Sequence, residues 1–279
     1  MPNHDGERTL PMPAALDISV VIPVRNAEGI LGECLASVAA SRPAEVIVVD
    51  GMSTDRTLDI ARRHGATILS DEGKGLPYAR ILGTQHARTE RVLLLDADVI
   101  LPEGSLAALL AEFEEGGYAA LQAGQNSVGG PGYWGQALAY HHRTGRSKNW
   151  FGLVCTIFER DVLLEHGFDA SFLSGEDIEL RWRLQQDGSR IGVSQRTVVT
   201  HRFGDGFGFA VDQWLMDGKG LIRMVGKHRL RGLPLLGLPL AGAVRGILLA
   251  LAKRQPRWVP YFLCYGVGNY VGMLKARGA

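Results

Sequence analysis

Cysteine is scarce and scattered: Cys34, Cys155 and Cys264 are the only three in 279 residues. They have neither the pairwise spacing of a zinc site nor the density of a disulfide scaffold, which points to a reducing compartment. Net charge is equally low, since 30 Lys and Arg against 29 Asp and Glu leave +1. No global field is therefore available to hold nucleic acid, and a charged ligand must be met locally. The opening MPNHDGERTLPMPAALD lacks a basic start running into an apolar stretch. Residues 1–16 read as a loose tail rather than a signal peptide, and the expected location is cytoplasmic. After the first apolar run, VVIPV, comes RNAEG, without the close-set glycines that let a pyrophosphate approach a helix N-terminus. That absence argues against a dinucleotide-dependent oxidoreductase.

What is present is an alternation. ISVVIPV from Ile18, EVIVVD from Glu45 and RVLLLDAD from Arg91, with a weaker ATILSD from Ala66, read as buried strands. AEGILGECLASVAAS and STDRTLDIARRHG between them carry apolar residues at helical spacing. Strand and helix in turn predict an α/β fold with a mostly parallel sheet, in which ligands collect at the carboxyl ends of the strands. Asp50 and the pair Asp96 and Asp98 sit at such ends. A carboxylate costs several kcal/mol to desolvate unless a positive group meets it, so two acids one residue apart at the end of VLLLDADVI suggest a cation. The plainer alternative is a strand end that has reached water.

Residues 116–152, rich in Gly, aromatics and basic groups, are expected to be irregular and mobile surface lining a cleft. SGEDIELRWRLQQDG then predicts an amphipathic helix ending at Gly188, whose acids Glu176 and Asp177 would suit the helix dipole even without a function. Beyond residue 227 the composition turns apolar. The stretch 232–252 approaches spanning length but holds Pro234, Pro239 and Arg245, and 258–274 is shorter. A membrane-surface hairpin with basic flanks fits this pattern better than two spans, a pair of core helices being the alternative.

Five segments in order resemble family 2 glycosyltransferases, nucleotide-sugar enzymes of the GT-A fold. VVIPVRNAEGILGECLASV resembles the opening strand and helix, and VIVVDGMSTDRT the nucleotide-binding turn. GKGLPYARILGTQHA resembles the Gly-Arg segment, LLLDADVILPEGSL the Asp-x-Asp motif, and GFDASFLSGEDIELRWRLQQDG the Glu-Asp segment on the acceptor side. The resemblance spans 17–203. One departure stands at Gly51-Met52, where the family often has Asp-Gly, and it puts in doubt how base and ribose are held.

The resemblance implies a mixed, mostly parallel Rossmann-like sheet flanked by helices, with a catalytic domain over 17–226 and an apolar helical segment over 227–279. It implies transfer of a sugar from a nucleotide diphosphate, a UDP-sugar first among them, to an acceptor hydroxyl with inversion. The acceptor would be lipid-linked or a membrane-proximal polysaccharide or glycolipid, and the enzyme peripheral on the inner face of the membrane. Pro23, Arg25, Asn26, Asp50, Lys74, Arg80, Asp96, Ala97 and Asp98 would bind the donor. Asp98, Asp96 and His201 would hold Mg²⁺ or Mn²⁺, hard cations that take oxygen ligands. Asp177 would be the general base, with Glu176 orienting the acceptor or tuning it by like-charge repulsion. Trp150, Trp134, Tyr133 and Trp182 could offer sugar platforms, although burial is the commoner fate of a Trp. A nucleotidyltransferase and a non-catalytic membrane-associated nucleotide-sugar-binding protein are the alternative functions.

Overall fold

The computed structural model describes residues 15–145, 152–169, 172 and 174–277. The first half winds strand and helix in turn: β1 (Leu16–Val24), α1 (Leu31–Ser41), β2 (Pro43–Asp50), α2 (Thr57–Arg63), β3 (Thr67–Ser70), α3 (Leu76–His86), β4 (Arg91–Leu95), β5 (Val99–Ile100) and α4 (Ser105–Gly116). There follow β6 (Ala120–Gly129), α5 (Tyr133–Thr144), β7 (Cys155–Glu159), α6 (Arg160–His166), α7 (Glu176–Gln186) and β8 (Ile191–Phe203). The chain closes on α8 (Phe207–His228), α9 (Leu238–Ala252) and α10 (Val259–Arg277).

The eight strands form one sheet in the order β3-β2-β1-β4-β7-β6-β8-β5. Pairings from β3 to β4 and between β6 and β8 are parallel; β7 runs against both neighbours, and β5 against β8. The fold is thus the expected mixed, mostly parallel α/β sheet. Ile18, Val20, Val21 and Ile22 are all sealed from water, as continuous apolar runs must be when helices cover both faces. On α1, Leu31, Cys34, Leu35 and Val38 repeat at helical spacing and face that core.

Residues 116–145 depart from expectation, and 146–151 lie outside the described residues. Much of the stretch is regular, as β6 and α5, and its glycines serve close packing. A Cβ on Gly129 would lie 2.1 Å from the carbonyl oxygen of Gly135. Gly130, Gly132 and Gly135 surround the Asp205 carboxylate, which accepts a hydrogen bond from the Gly132 amide at 2.7 Å. Tyr133 and Trp134 are packing residues too: Trp134 meets Trp214 edge-on at 5.9 Å, and Tyr133 Oη donates to the Arg257 carbonyl. Trp182 packs among Met224 and its neighbours and lies against His228. None of the three serves as an open platform in this arrangement, and Trp150 lies outside the described residues.

At the C-terminus α9 and α10 form a helical pair. Gly246 of α9 lies against Phe262, and on α10 Gly268 and Gly272 fit closely to Trp214 and Leu215 of α8.

Candidate functional site

Three neighbouring parallel strands, β2, β1 and β4, deliver their carboxyl ends to the same edge. Val24 pairs with Asp50 and Val21 with Leu94, so Asp96 follows two residues beyond the β4 pair. At the first of these ends the loops are laced together. Both oxygens of the buried Asp50 carboxylate accept from the Ser53 amide at 3.1 and 3.2 Å, which turns the chain back over the strand end. Asn26, in the left-handed region at φ 50, accepts from the Thr54 amide at 2.9 Å, while its own amide donates to Ser53 Oγ. Pro23 is buried at the end of β1, and Arg25 and Asn26 are exposed beside it. Met52 also has positive φ, 63, and is exposed, an unusual setting for a side chain with a Cβ. Lys74 is spent locally, at 2.8 Å from Glu72 and over the Tyr78 ring.

The centre of the site is Arg80. Its helix, α3, lies so close to the sheet that a Cβ on Gly83 would come within 2.3 Å of Val21 Cγ1. That approach drives Arg80, 3 % exposed, beneath the strand ends. Its Nη2 donates to Asp96 Oδ1 at 3.1 Å and its Nη1 to Glu176 Oε1 at 2.8 Å. One guanidinium therefore ties the Asp-x-Asp segment to the N-terminus of α7. Glu176 is engaged in this pair while standing in the first turn of α7, where an acid also suits the helix dipole. Ala97 lies between Asp96 and the second acid of the motif, Asp98. Asp98 Oδ2 sits 3.3 Å from His201 Nε2 on β8, held there because β5 pairs Val99 with His201.

Charge is concentrated here. Burial pushes the Asp96 carboxyl up, with Asp98 adding and Arg80 and His201 pulling down. Burial works the other way on the His201 imidazole, but its hydrogen bond to Asp98 prevails and raises it. Burial and then the Glu176 charge lift Asp177 to about 6. Asp98 Oδ1 and His201 Nδ1 are both sealed from water without a hydrogen-bond partner. Orphaned buried groups of this kind fit a ligand, because each costs its full desolvation until something meets it. Among the described residues no three His, Cys, Asp or Glu side chains stand close enough to hold a metal by themselves. An oxygen and an imidazole suit a hard cation whose shell is completed by other oxygens.

Beyond Glu176, Asp177 is half-buried in the first turn of α7. Its Oδ2 lies 3.3 Å from where a Cβ on Gly152 would stand, and the Gly152 amide donates to Gln122 Oε1 at 2.6 Å. On the other side α7 docks onto α8: Ser174 Oγ donates to the Met216 carbonyl at 2.7 Å, and Gly175 and Gly220 leave no room for a Cβ between them. The contact sets Asp217 near Asp177. Asp217 reaches water, yet the protein packed around it, with the Asp177 charge adding, pushes its carboxyl up to about 7. Gln122, Gly152 and Asp217 were not anticipated from the sequence. Only Gly152 had a nearby cue, in the Gly-rich run.

The model of glycosyl transferase family 2 matches residues 19–162, just over half of the chain, and that of glycosyl transferase family group 2 matches 91–274. The chain belongs to glycosyl transferase family 2. Among similar solved structures, the mannosyltransferase PcManGT of Pyrobaculum calidifontis, in complex with GDP-Man and Mn²⁺, is 20 % identical with a TM-score of 0.66, over 94 % of this chain and 88 % of that one. TarS 1-349 of S. aureus, in complex with UDP-GlcNAc, is 19 % identical with a TM-score of 0.60, over 94 % and 92 %. At that identity they show that the fold is GT-A. A 4,4'-diaponeurosporenoate glycosyltransferase of Staphylococcus aureus (strain MRSA252) is 35 % identical over 105 residues, 35 % of this chain and 28 % of the relative. The match thus spans little more than a quarter of that relative. The Asp50, Arg80 and Asp98 positions described above all fall within the segment that the family 2 model matches.

Proposed function

We propose that this glycosyltransferase takes a nucleotide-diphosphate sugar, a UDP-sugar in the first instance, and moves the sugar with inversion to a hydroxyl of a membrane-proximal acceptor. The observation that carries the reading is the Asp96–Arg80–Glu176 bridge, which joins a donor-side acid to the acceptor-side helix through one buried guanidinium. Asp50, with the Asn26–Thr54 turn, would seat the nucleoside. Asp98 and His201, with Asp96 alongside, would hold Mg²⁺ or Mn²⁺. Bound there, the cation would supply Lewis-acid stabilisation of the charge growing on the departing diphosphate. Arg80 fixes the Asp96 and Glu176 side chains, while Asp177, the next residue, lies against Gly152. Asp177, poised near neutral, would accept the proton of the attacking hydroxyl as it displaces the nucleotide from the opposite face of the sugar. The catalytic domain is taken as 17–226 and the apolar segment as 227–279, a division that falls in the last turn of α8.

GDP-Man in one neighbour and UDP-GlcNAc in another support a nucleotide sugar without choosing between them. Incubation of the full chain with UDP-, GDP- and dTDP-sugars, with MnCl₂ or with EDTA, tests the reading through release of the nucleoside diphosphate. One donor is expected to be turned over, and EDTA to stop it. Calorimetry on Asp98→Ala is expected to show Mn²⁺-dependent donor affinity weakened by at least about tenfold, the loss of one strong charged contact. Unchanged affinity would remove Asp98 from the donor site.

A further inference from the structure

Eleven of the 30 Lys and Arg lie after Asp217, and none of the 29 Asp and Glu does. A chain that is nearly neutral as a whole therefore has a strongly cationic C-terminal end and a net acidic remainder. Within that end α9 has two unlike faces. Pro239, Ala243, Gly246 and Ala250 are turned inward onto α10. Leu240, Val244, Leu248 and Leu251 are 59, 47, 61 and 53 % exposed. Their spacing of i, i+4, i+8 and i+11 sets them along one stripe of the helix, about 16 Å long at 1.5 Å per residue. Arg245, the one charge inside α9, is exposed beside the stripe and donates to the Thr144 carbonyl at 3.0 Å. Exposed cations close both ends: Arg229 and Arg231 before the helix, Lys253, Arg254 and Arg257 after it.

We propose that this outward face of α9 lies in the plane of a bilayer rich in anionic lipid, its leucines among the acyl chains and the flanking cations at the headgroups. Three observations favour that occupant. Leu233–Ala252 is apolar enough to cross a membrane, yet only 28 % of that window is buried, unlike a helix at the core of a soluble domain. The charges at its ends are all of one sign, so an anionic surface complements them, whereas a second copy of the chain would bring like charges together. The inner face is closely fitted, with Gly242 against Tyr265 and Gly246 against Phe262, and α10 is fitted in turn to α8 through Gly218 and Asn269. Spanning would strip α9 from these contacts; lying flat keeps them and buries only the stripe.

The inference deepens the proposal of a membrane-proximal acceptor and rests on it only for its purpose. Vesicle binding is read without donor or acceptor, so a chain that binds vesicles and transfers nothing separates the two. The full-length protein is floated with vesicles of phosphatidylcholine, or of phosphatidylcholine and phosphatidylglycerol at 3:1. Binding at least tenfold stronger to the anionic vesicles is expected, weakening as salt is raised. The Leu240→Glu/Leu248→Glu variant is expected to lose at least tenfold of that binding while keeping its thermal midpoint, since both positions face solvent. Lys253→Glu/Arg254→Glu is expected to lose the preference for anionic lipid. Equal flotation of the leucine variant and the parent, or no binding to either vesicle, would overturn the proposal. So would resistance to alkaline carbonate extraction, which marks a spanning helix, or a dimer abolished by the leucine variant without vesicle binding, which assigns the face to a second copy.

Discussion

Replacing Asp177 by Asn tests the chemistry most directly, because the same burial that readies the carboxylate as a base also makes it a liability to the fold. Its carboxyl stands at about 6 in the folded protein, raised first by burial and then by Glu176. In an unfolded chain an Asp titrates near 3.9. The folded pKa is the higher of the two, so the folded state holds the proton more tightly and ionisation weakens it. The penalty is absent below about pH 4, grows between about pH 4 and 6 and is fully present above. Two units correspond to about 3 kcal/mol, an upper bound for a half-buried group that water partly reaches. Asn keeps the shape and an oxygen for the Ile178 amide, to which Asp177 Oδ1 is now hydrogen-bonded at 2.8 Å, and it removes the charge.

Asp177→Asn should therefore be more stable than the parent at pH 8 and indistinguishable from it at pH 4. In urea unfolding the gain should be about 1–3 kcal/mol, or several degrees in Tm for a chain of this size. Turnover should fall by about 10²–10⁴, the usual contribution of a general base, with donor affinity unchanged. In the parent, transfer should rise with pH through about 6 as the base is freed. A variant less stable than the parent at pH 8, or one that transfers sugar within tenfold of the parent rate, would refute both halves of the reasoning.

Arg80→Met should cost about 3–5 kcal/mol in urea unfolding, because it leaves Glu176 and Asp96 without their shared partner. Adding Glu176→Gln should restore at least about 1 kcal/mol, a coupling expected of groups in direct contact, and a double variant no more stable than the single would deny the bridge. Asp217→Asn should leave the midpoint of the pH–rate profile near 6, since a carboxyl pushed up to about 7 carries little charge where Asp177, raised by burial and then Glu176, ionises. The rate at pH 8 should be unaffected, and a midpoint displaced downward would mean that Asp217 is already charged when Asp177 titrates.

Local pattern carried a good deal of this architecture. Apolar runs ending in Asp50 and in Asp96-Ala97-Asp98 marked strands and the edge on which they close, because a desolvated acid at a strand end is costly enough to be conspicuous. Pattern failed where a residue answers to something distant. The Glu176 partner of Arg80 lies 96 positions away, so no periodicity could show that one of the two acids opening α7 is held in an ion pair while the other lies against Gly152. The glycines of 129–135 were misread for a related reason: small residues signal loops in sequence, but here they admit the Asp205 carboxylate and one another's backbone. Asp217 carries no motif at all; it matters because Gly175 and Gly220 let two helices touch beside it.

The pair of acids in VLLLDADVI is explained by the sum of charges around it. Asp96, Asp98, Glu176 and Asp177 are answered within their own neighbourhood by Arg80, by the flanking Arg181 and by an imidazole that Asp98 itself holds toward the charged form. Arg80 is shared between two of the four, and the buried Asp98 Oδ1 has no donor at all. The fold thus tolerates a local excess of negative charge where its strands end. Such an excess is costly in an empty cleft and favourable once positive charge enters, so affinity for a cation-bearing donor and marginal local stability have the same cause. Neutralising Asp177, which stands outside the Arg80 bridge, should accordingly trade turnover for stability, and both sides of that trade can be measured.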